Sequence, residues 1–112
     1  MTSEFVSLVG TDLHSTTLTF AMRDNTGVLV KTIKIDCKCV NKIRDFLTDL
    51  LRPIHCAVKS VGMYQYLWEL AEPIVDKLTL ADAVELKYLA GNQQARTDKI
   101  DARFISHLMF TN

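Results

Sequence analysis

The sequence predicts an α/β domain in which a mixed β-sheet carries helices on its faces. Three observations predict it. The first third of the chain alternates apolar and polar residues, as strands do, and after Cys39 apolar residues recur every three or four positions, as in helices. Short apolar runs then alternate with these helical stripes. Because parallel strands need crossover helices, this order favours antiparallel strands followed by β-α-β units.

Three antiparallel strands are predicted at the start of the chain, at residues 5–13, 16–23 and 28–35. The second alternates most clearly, with Leu18, Phe20 and Met22 on one face. Residues 24–27 (Asp-Asn-Thr-Gly) are a turn signal, since Asn and Gly accept the positive φ that tight hairpins require. The simplest topology for these strands is a meander.

Helices and further strands follow this meander. An amphipathic helix is predicted from Val40 to Leu51, stopped by Pro53. After it the sequence predicts a buried strand at residues 54–60, a helix at 63–71 and a short strand at 77–81. A short helix at 84–90, a polar loop at 92–96 and a last helix from Asp98 complete the order. The aromatic stripe of the second helix is assigned to core packing because its spacing is helical.

Length and composition restrict the class of protein. With 112 residues, 48% of them hydrophobic, we expect one domain that spans residues 1–112. The chain has no apolar run of about 20 residues and no signal peptide, so we expect a soluble cytoplasmic protein without membrane contact. Three cysteines without paired metal-type spacing indicate reduced thiols. The 13 basic and 13 acidic side chains cancel, so any DNA affinity must be local or come from other parts of a larger protein.

Three carboxylates stand where chemistry can occur. Asp12 lies at the end of the first predicted strand, and Asp98 and Asp101 share one face at the start of the last helix. Three adjacent carboxylates need a cation, and oxygen ligands suit Mg²⁺ or Mn²⁺. Each also has a simpler explanation, since Asp12 can be a turn residue and the other two can cap the helix. These residues alone leave a nucleotide- or metal-binding domain as one alternative.

Three segments together resemble the N-terminal, resolvase-like domain of DEDD-type insertion-sequence transposases. The first motif, VGTDLH at residues 9–14, is similar to the family's G-[IT]-D-x-[HA] strand end. The second motif, AVKSVGMY at 57–64, is similar to its hydrophobic-E-[AS]-T-G-x-[YW] strand and turn. The third motif, RTDKIDA at 96–102, is similar to its K-T-D-x-x-D-A signature and is the most specific of the three. The resemblance covers nearly the whole chain.

The resemblance implies an RNase-H-like fold in which four acids hold two divalent metals, Mg²⁺ or Mn²⁺. Such metals assist DNA cleavage and strand transfer by stabilising charge on the attacking and leaving oxygens. Asp12, Asp98 and Asp101 would be the catalytic metal ligands of this chain. The family also implies a guide RNA as partner, a homo-oligomer in the full-length protein, and the cytoplasm of a prokaryotic cell.

Lys59 departs from the family pattern, which has glutamate at this position. An ammonium group cannot coordinate a metal. Our hypothesis is that Lys59 neutralises the acidic cluster and abolishes or much reduces two-metal chemistry. The alternative is that Lys59 points to solvent and another acid serves, although Glu69 is a poor candidate because it follows in a helix.

The family continues into a helical linker and a C-terminal domain that carries a required serine. We therefore expect this chain to be a truncated domain that is inactive alone, and we assign no nucleophile to Ser60 or Ser106. Four basic residues near the third motif are candidates for phosphate contact, although a solvated helix face explains them equally well: Lys87, Arg96, Lys99 and Arg103.

Two other functions remain open at this point. One is a catalytically dead nucleic-acid-binding or assembly module that retains the fold, which Lys59 favours. The other is half of a sugar- or acetate-kinase-type ATPase, which would need a glycine-rich phosphate loop in the first hairpin. Residues 24–27 contain a single glycine and supply no such loop.

Overall fold

A computed structural model describes residues 3–60, 62, 64–82 and 102–111 of the chain. The strands within these ranges are β1 (Ser7–His14), β2 (Thr17–Asp24), β3 (Leu29–Asp36), β4 (Ile54–Lys59) and β5 (Lys77–Ala81). The helices are α1 (Val40–Thr48), α2 (Tyr64–Ala71) and α3 (Ala102–Thr111). The α/β class expected from the sequence is confirmed.

The five strands form one mixed sheet in the order β3-β2-β1-β4-β5. β2 is antiparallel to both β1 and β3, which confirms the predicted meander. β4 is parallel to β1 and β5 is parallel to β4, as the predicted β-α-β units require. The first strand therefore lies at the centre of the sheet, with β2 and β3 on one side of it and β4 and β5 on the other.

The main hydrophobic core lies on one face of the sheet, under α1 and α2. Alternate residues of the central strands point into it, including Val9, Phe20 and Cys56, because side chains of a strand alternate between its faces. Helix α1 contributes Ile43 and Leu47, and α2 contributes Leu67 and Ala71. The aromatic residues of α2 pack against this core, as the helical spacing predicted.

Helix α3 covers the opposite face of the sheet. It packs so closely on β1 that a Cβ added at Gly10 would lie 2.6 Å from the backbone nitrogen of Ser106 and would collide with the carbonyl oxygen of Ala102. The Arg23 side chain of β2 joins the same contact, because its Nε donates to Ser106 Oγ at 3.0 Å. A glycine at position 10 is therefore what allows α3 to reach the sheet.

Most element ends differ from the sequence expectation by one or two residues. Helix α1 ends at Thr48, whereas the apolar spacing predicted that it would run to Leu51, whose side chain is 72% exposed. β1 extends through His14 because Ser15, with a positive φ of 57°, turns the chain into β2 almost at once. Gly27 has the positive φ expected of the second turn. The predicted helix at 84–90, the loop at 92–96 and the start of the last helix at Asp98 lie outside the described residues.

Cys37, Cys39 and Cys56 are free thiols, and Cys56 is buried. In the part of the chain that the structure describes, no helix has the length and apolar character needed to cross a membrane.

Candidate functional site

The carboxyl ends of β1, β4 and β5 meet at one edge of the sheet. Thr11 of β1 lies opposite Val58 of β4, so that the next residues, Asp12 and Lys59, are neighbours. Lys59 in turn lies opposite Ala81, the last residue of β5. This edge is where ligands bind in open α/β sheets, and it holds the first two positions singled out in the sequence.

Asp12 and Lys59 contact each other on the face of the sheet that α3 covers. Asp12 shares this face with Gly10, and Lys59 shares it with Ala57, because each pair is two residues apart on a strand. Lys59 Nζ lies 3.8 Å from Asp12 Oδ1, and the two side chains are 17% and 19% exposed. The charges are thus close and largely shielded from water, although 3.8 Å is longer than a hydrogen bond.

The described residues of the three motifs come together here. Gly10 of the first motif contacts Ala102, which is the last residue of the third. Ala57 of the second motif is buried in a small cluster with Ile105 of α3. The contact between Asp12 and Lys59 joins the first motif to the second. Segments that are far apart in the sequence therefore meet at one edge of the sheet.

Helix α3 runs antiparallel to β1. Its first described turn lies over Gly10, and Phe110, near its other end, lies against Gly27 at the opposite edge of the sheet. The N-terminal end of α3 is therefore directed to the edge that holds Asp12. The partial positive charge of a helix N-terminus favours negative groups at that edge.

Several predicted site residues lie outside the described ranges, namely Asp98, Asp101, Lys87, Arg96 and Lys99. Arg103 is described and lies on the exposed side of α3. Its carbonyl oxygen accepts hydrogen bonds from Ser106 Oγ at 2.9 Å and from the Arg23 guanidinium at 3.3 Å. Glu69 lies in α2, on the other face of the sheet from Asp12, so it does not replace a carboxylate at position 59.

The described residues do not by themselves fit a two-metal centre. Among residues 3–60, 62, 64–82 and 102–111 there is no group of three or more His, Cys, Asp or Glu side chains placed to hold a metal ion. Asp12 instead has the Lys59 ammonium group beside it. The Lys59 side chain faces Asp12 and not solvent.

Asp82 is a residue that the sequence reasoning did not select as a site residue. It directly follows β5, and Ser60, which follows β4, donates its backbone N–H to Ala81 at 2.8 Å. Asp82 therefore lies at the same edge as Asp12 and is exposed. The signal in the sequence was its place directly after a predicted parallel strand, which is the placement that selected Asp12.

Serine and cysteine chemistry finds little support in the described residues. Ser106 is fully buried, and its hydroxyl both accepts from Arg23 and donates to the backbone, so its role is structural. Burial raises the pKa of the Cys56 thiol to about 11, which keeps it protonated and unreactive at neutral pH. Burial also raises the pKa of Cys37.

Comparison of the chain with protein-family models, with curated proteins and with solved structures finds no match. The assignment of a function therefore rests on the fold and on the contacts at this edge of the sheet.

Proposed function

We propose that this chain is the RNase-H-like catalytic domain of a DEDD-type insertion-sequence transposase in which Lys59 takes the place of the family's glutamate. The observation that carries the proposal is the contact between Lys59 and Asp12. An acid at position 59 would lie beside Asp12 at the carboxyl edge of β1 and β4. Two carboxylates so placed would suit a divalent cation.

The sheet supports this proposal. Its order is β3-β2-β1-β4-β5 with β2 alone running against the others, which is the arrangement expected of an RNase-H-like sheet. The acid of the first motif lies near the end of the central strand β1, as the resemblance implies.

The position of α3 supports it as well. Ala102 directly follows Asp101 in the sequence, and Ala102 packs against Gly10, two residues before Asp12. The resemblance implies that Asp98 and Asp101, which lie outside the described residues, are the further acids of the cluster. In the family, bound Mg²⁺ or Mn²⁺ would stabilise charge on the phosphodiester oxygens during cleavage and strand transfer.

In this chain the Lys59 ammonium competes with that cation. It supplies positive charge at Asp12 without offering a ligand, so we infer that metal-dependent cleavage is weak or absent in the chain as it stands. The proposal includes DNA as substrate and a guide RNA and further copies of the chain as partners, in the cytoplasm of a prokaryotic cell.

A calorimetric Mn²⁺ titration of three variants tests the proposal. Lys59→Glu supplies the missing carboxylate, Lys59→Gln removes only the positive charge, and Lys77→Glu makes the same charge change at an exposed residue of β5. We expect measurable Mn²⁺ binding by Lys59→Glu, weaker binding by Lys59→Gln, and no gain over the parent for Lys77→Glu. If a folded Lys59→Glu binds no better than Lys77→Glu, the metal site does not exist.

A second function is favoured by the same contact. Because Lys59 already neutralises Asp12, the chain can be a nucleic-acid-binding or assembly module that keeps the fold and performs no cleavage. Nicking of supercoiled plasmid DNA separates the two functions once Lys59→Glu binds Mn²⁺. Nicking by this variant supports a disabled catalytic site, whereas Mn²⁺ binding without nicking favours the non-catalytic module.

A further inference from the structure

Basic residues are concentrated on β3 and α1, at the meander edge of the sheet. Five of the 13 basic residues of the chain lie between positions 31 and 44, where Asp36 is the one acid. All five are exposed: Lys31, Lys34, Lys38, Lys42 and Arg44. In a chain whose total charge is zero, this is a local excess of positive charge. We call these five residues the β3–α1 basic surface.

Three of its lysines line one groove. Lys31, Lys34 and Lys42 border a groove of about 410 Å³ between β3 and α1, together with Asp36 and Asp45. Asp36 Oδ1 accepts a hydrogen bond from the backbone N–H of Lys38 at 2.8 Å. The groove therefore carries an excess of basic residues, three lysines against two acids.

Protection of the sheet edge accounts for only part of this surface. β3 is an edge strand, and lysines on such strands discourage pairing with other chains. That explanation covers Lys31 and Lys34. It does not cover Lys42 and Arg44, which lie on α1, or Lys38, which lies between the two elements.

We propose that the β3–α1 basic surface binds the phosphate backbone of duplex DNA. Lysine side chains contact phosphates without regard to sequence, and their charge supplies most of the affinity. Binding of unpaired bases would need an open aromatic ring. The aromatic ring at this groove, Phe46, is not open in this sense, because it is stacked on Phe20 and has Lys31 Nζ 5.9 Å from its centroid. The choice of DNA rests on the proposed function.

Lys34 connects this surface to the candidate site, because it lies on the same face of the sheet as Asp12, whereas Lys31 lies over Phe46 of α1 on the other face. Asp12 lies opposite Thr19, and Thr19 lies opposite Lys34, so one row of residues connects the two places across the sheet. Adjacent strands are about 4.8 Å apart, which puts the backbones of Asp12 and Lys34 about 10 Å apart. That distance spans only a few base pairs of a duplex.

The salt dependence of DNA binding tests this inference. We would measure binding of the chain to a short fluorescent DNA duplex by anisotropy over a series of KCl concentrations, in EDTA to exclude metal effects. Each phosphate contact contributes about 0.9 to the slope of log affinity against log salt. The triple variant Lys31→Gln, Lys34→Gln, Lys42→Gln should therefore flatten the slope by about 2.7, and Lys34→Gln alone by about 0.9. Lys77→Gln, which removes an exposed lysine from β5, should leave it unchanged.

The inference is overturned if a folded triple variant keeps the parent slope, or if the parent shows no salt-dependent DNA binding. It is also overturned if the lysines matter only for an RNA duplex of the same sequence or for polyglutamate, because the partner would then be RNA or an acidic protein. The DNA-binding assay contains EDTA and therefore does not depend on a metal site. DNA binding through these lysines can be observed even if no variant binds Mn²⁺, and Mn²⁺ binding can be observed even if the lysines do not bind DNA. The two proposals therefore fail separately.

Discussion

Gly10→Ala tests how α3 is held against the sheet. The added Cβ would lie 2.6 Å from Ser106 N and 3.1 Å from Ser106 Cβ, and would also collide with the Ala102 carbonyl oxygen. Ordinary contacts of this kind are about 3.5–4.0 Å. Because two of the three obstructing atoms belong to the backbone, no side-chain rotation relieves them, and α3 must move away by about 1 Å.

The cost of that movement follows from what α3 buries. Overpacking costs about 1–3 kcal/mol, and a gap of about 1 Å removes up to half of the dispersion contacts of Ile105 with the sheet. Replacing glycine by alanine in a strand returns about 0.5–1 kcal/mol, because the unfolded chain loses freedom. We therefore expect Gly10→Ala to lower the free energy of unfolding by about 2 kcal/mol.

Urea unfolding, together with amide hydrogen exchange of α3, measures this effect. Gly62→Ala is the comparison, because its added methyl has 3.7 Å to the nearest atom and its cost arises from a positive φ of 55°. We expect both variants to lose stability but only Gly10→Ala to exchange faster throughout α3. A Gly10→Ala protein as stable as the parent, with α3 amides equally protected, would show that α3 does not lie against β1.

Three further predictions concern other contacts. Arg23→Gln should lower the free energy of unfolding by about 1–2 kcal/mol in urea titrations, because Arg23 donates to Ser106 Oγ and to the Gly27 carbonyl oxygen; an unchanged midpoint would contradict it. Hydrogen bonds from the Arg52 guanidinium and the Ile54 N–H lower the pKa of Asp76, so its contribution is complete above the unfolded pKa of about 3.9 and is lost as the pH falls through the lower folded value. Asp76→Asn should therefore weaken the acid-induced loss of stability in unfolding curves below about pH 4, and identical pH profiles would refute this. Because burial raises the pKa of Cys56 to about 11, iodoacetamide at neutral pH should alkylate Cys56 only after unfolding, as mass spectrometry would detect, and rapid native labelling would be inconsistent with its burial.

Local patterns in the sequence predicted most of the fold. Alternation predicted the three strands of the meander, and the change of period at Cys39 predicted the start of α1. The predicted end of α1 was wrong because Leu50 and Leu51 continue the apolar spacing after the helix has ended. Leu50 packs against the core from the following segment, and Leu51 is exposed. Spacing alone does not distinguish these two situations.

Contacts between distant segments were not predictable in the same way. The contact between Asp12 and Lys59 depends on the register of the parallel strands β1 and β4, and no local pattern in the sequence specifies that register. The sequence identified Gly10 only as part of the first motif. The structure shows why a glycine is needed there, because α3 approaches β1 closely at this position. The β3–α1 basic surface was missed because its lysines alternate with apolar residues in a strand and helix that look ordinary in sequence. The expectations for Asp98 and Asp101 remain predictions.

Paramagnetic broadening of backbone NMR signals by Mn²⁺ tests the central claim most directly, because it reports where a metal binds. We predict that Lys59→Glu shows strong broadening at the amide of Asp12 and at the N-terminal end of α3, while the parent and Lys77→Glu show little. Equal and scattered broadening in all three folded proteins would contradict the claim that Lys59 occupies the place of a metal-binding acid.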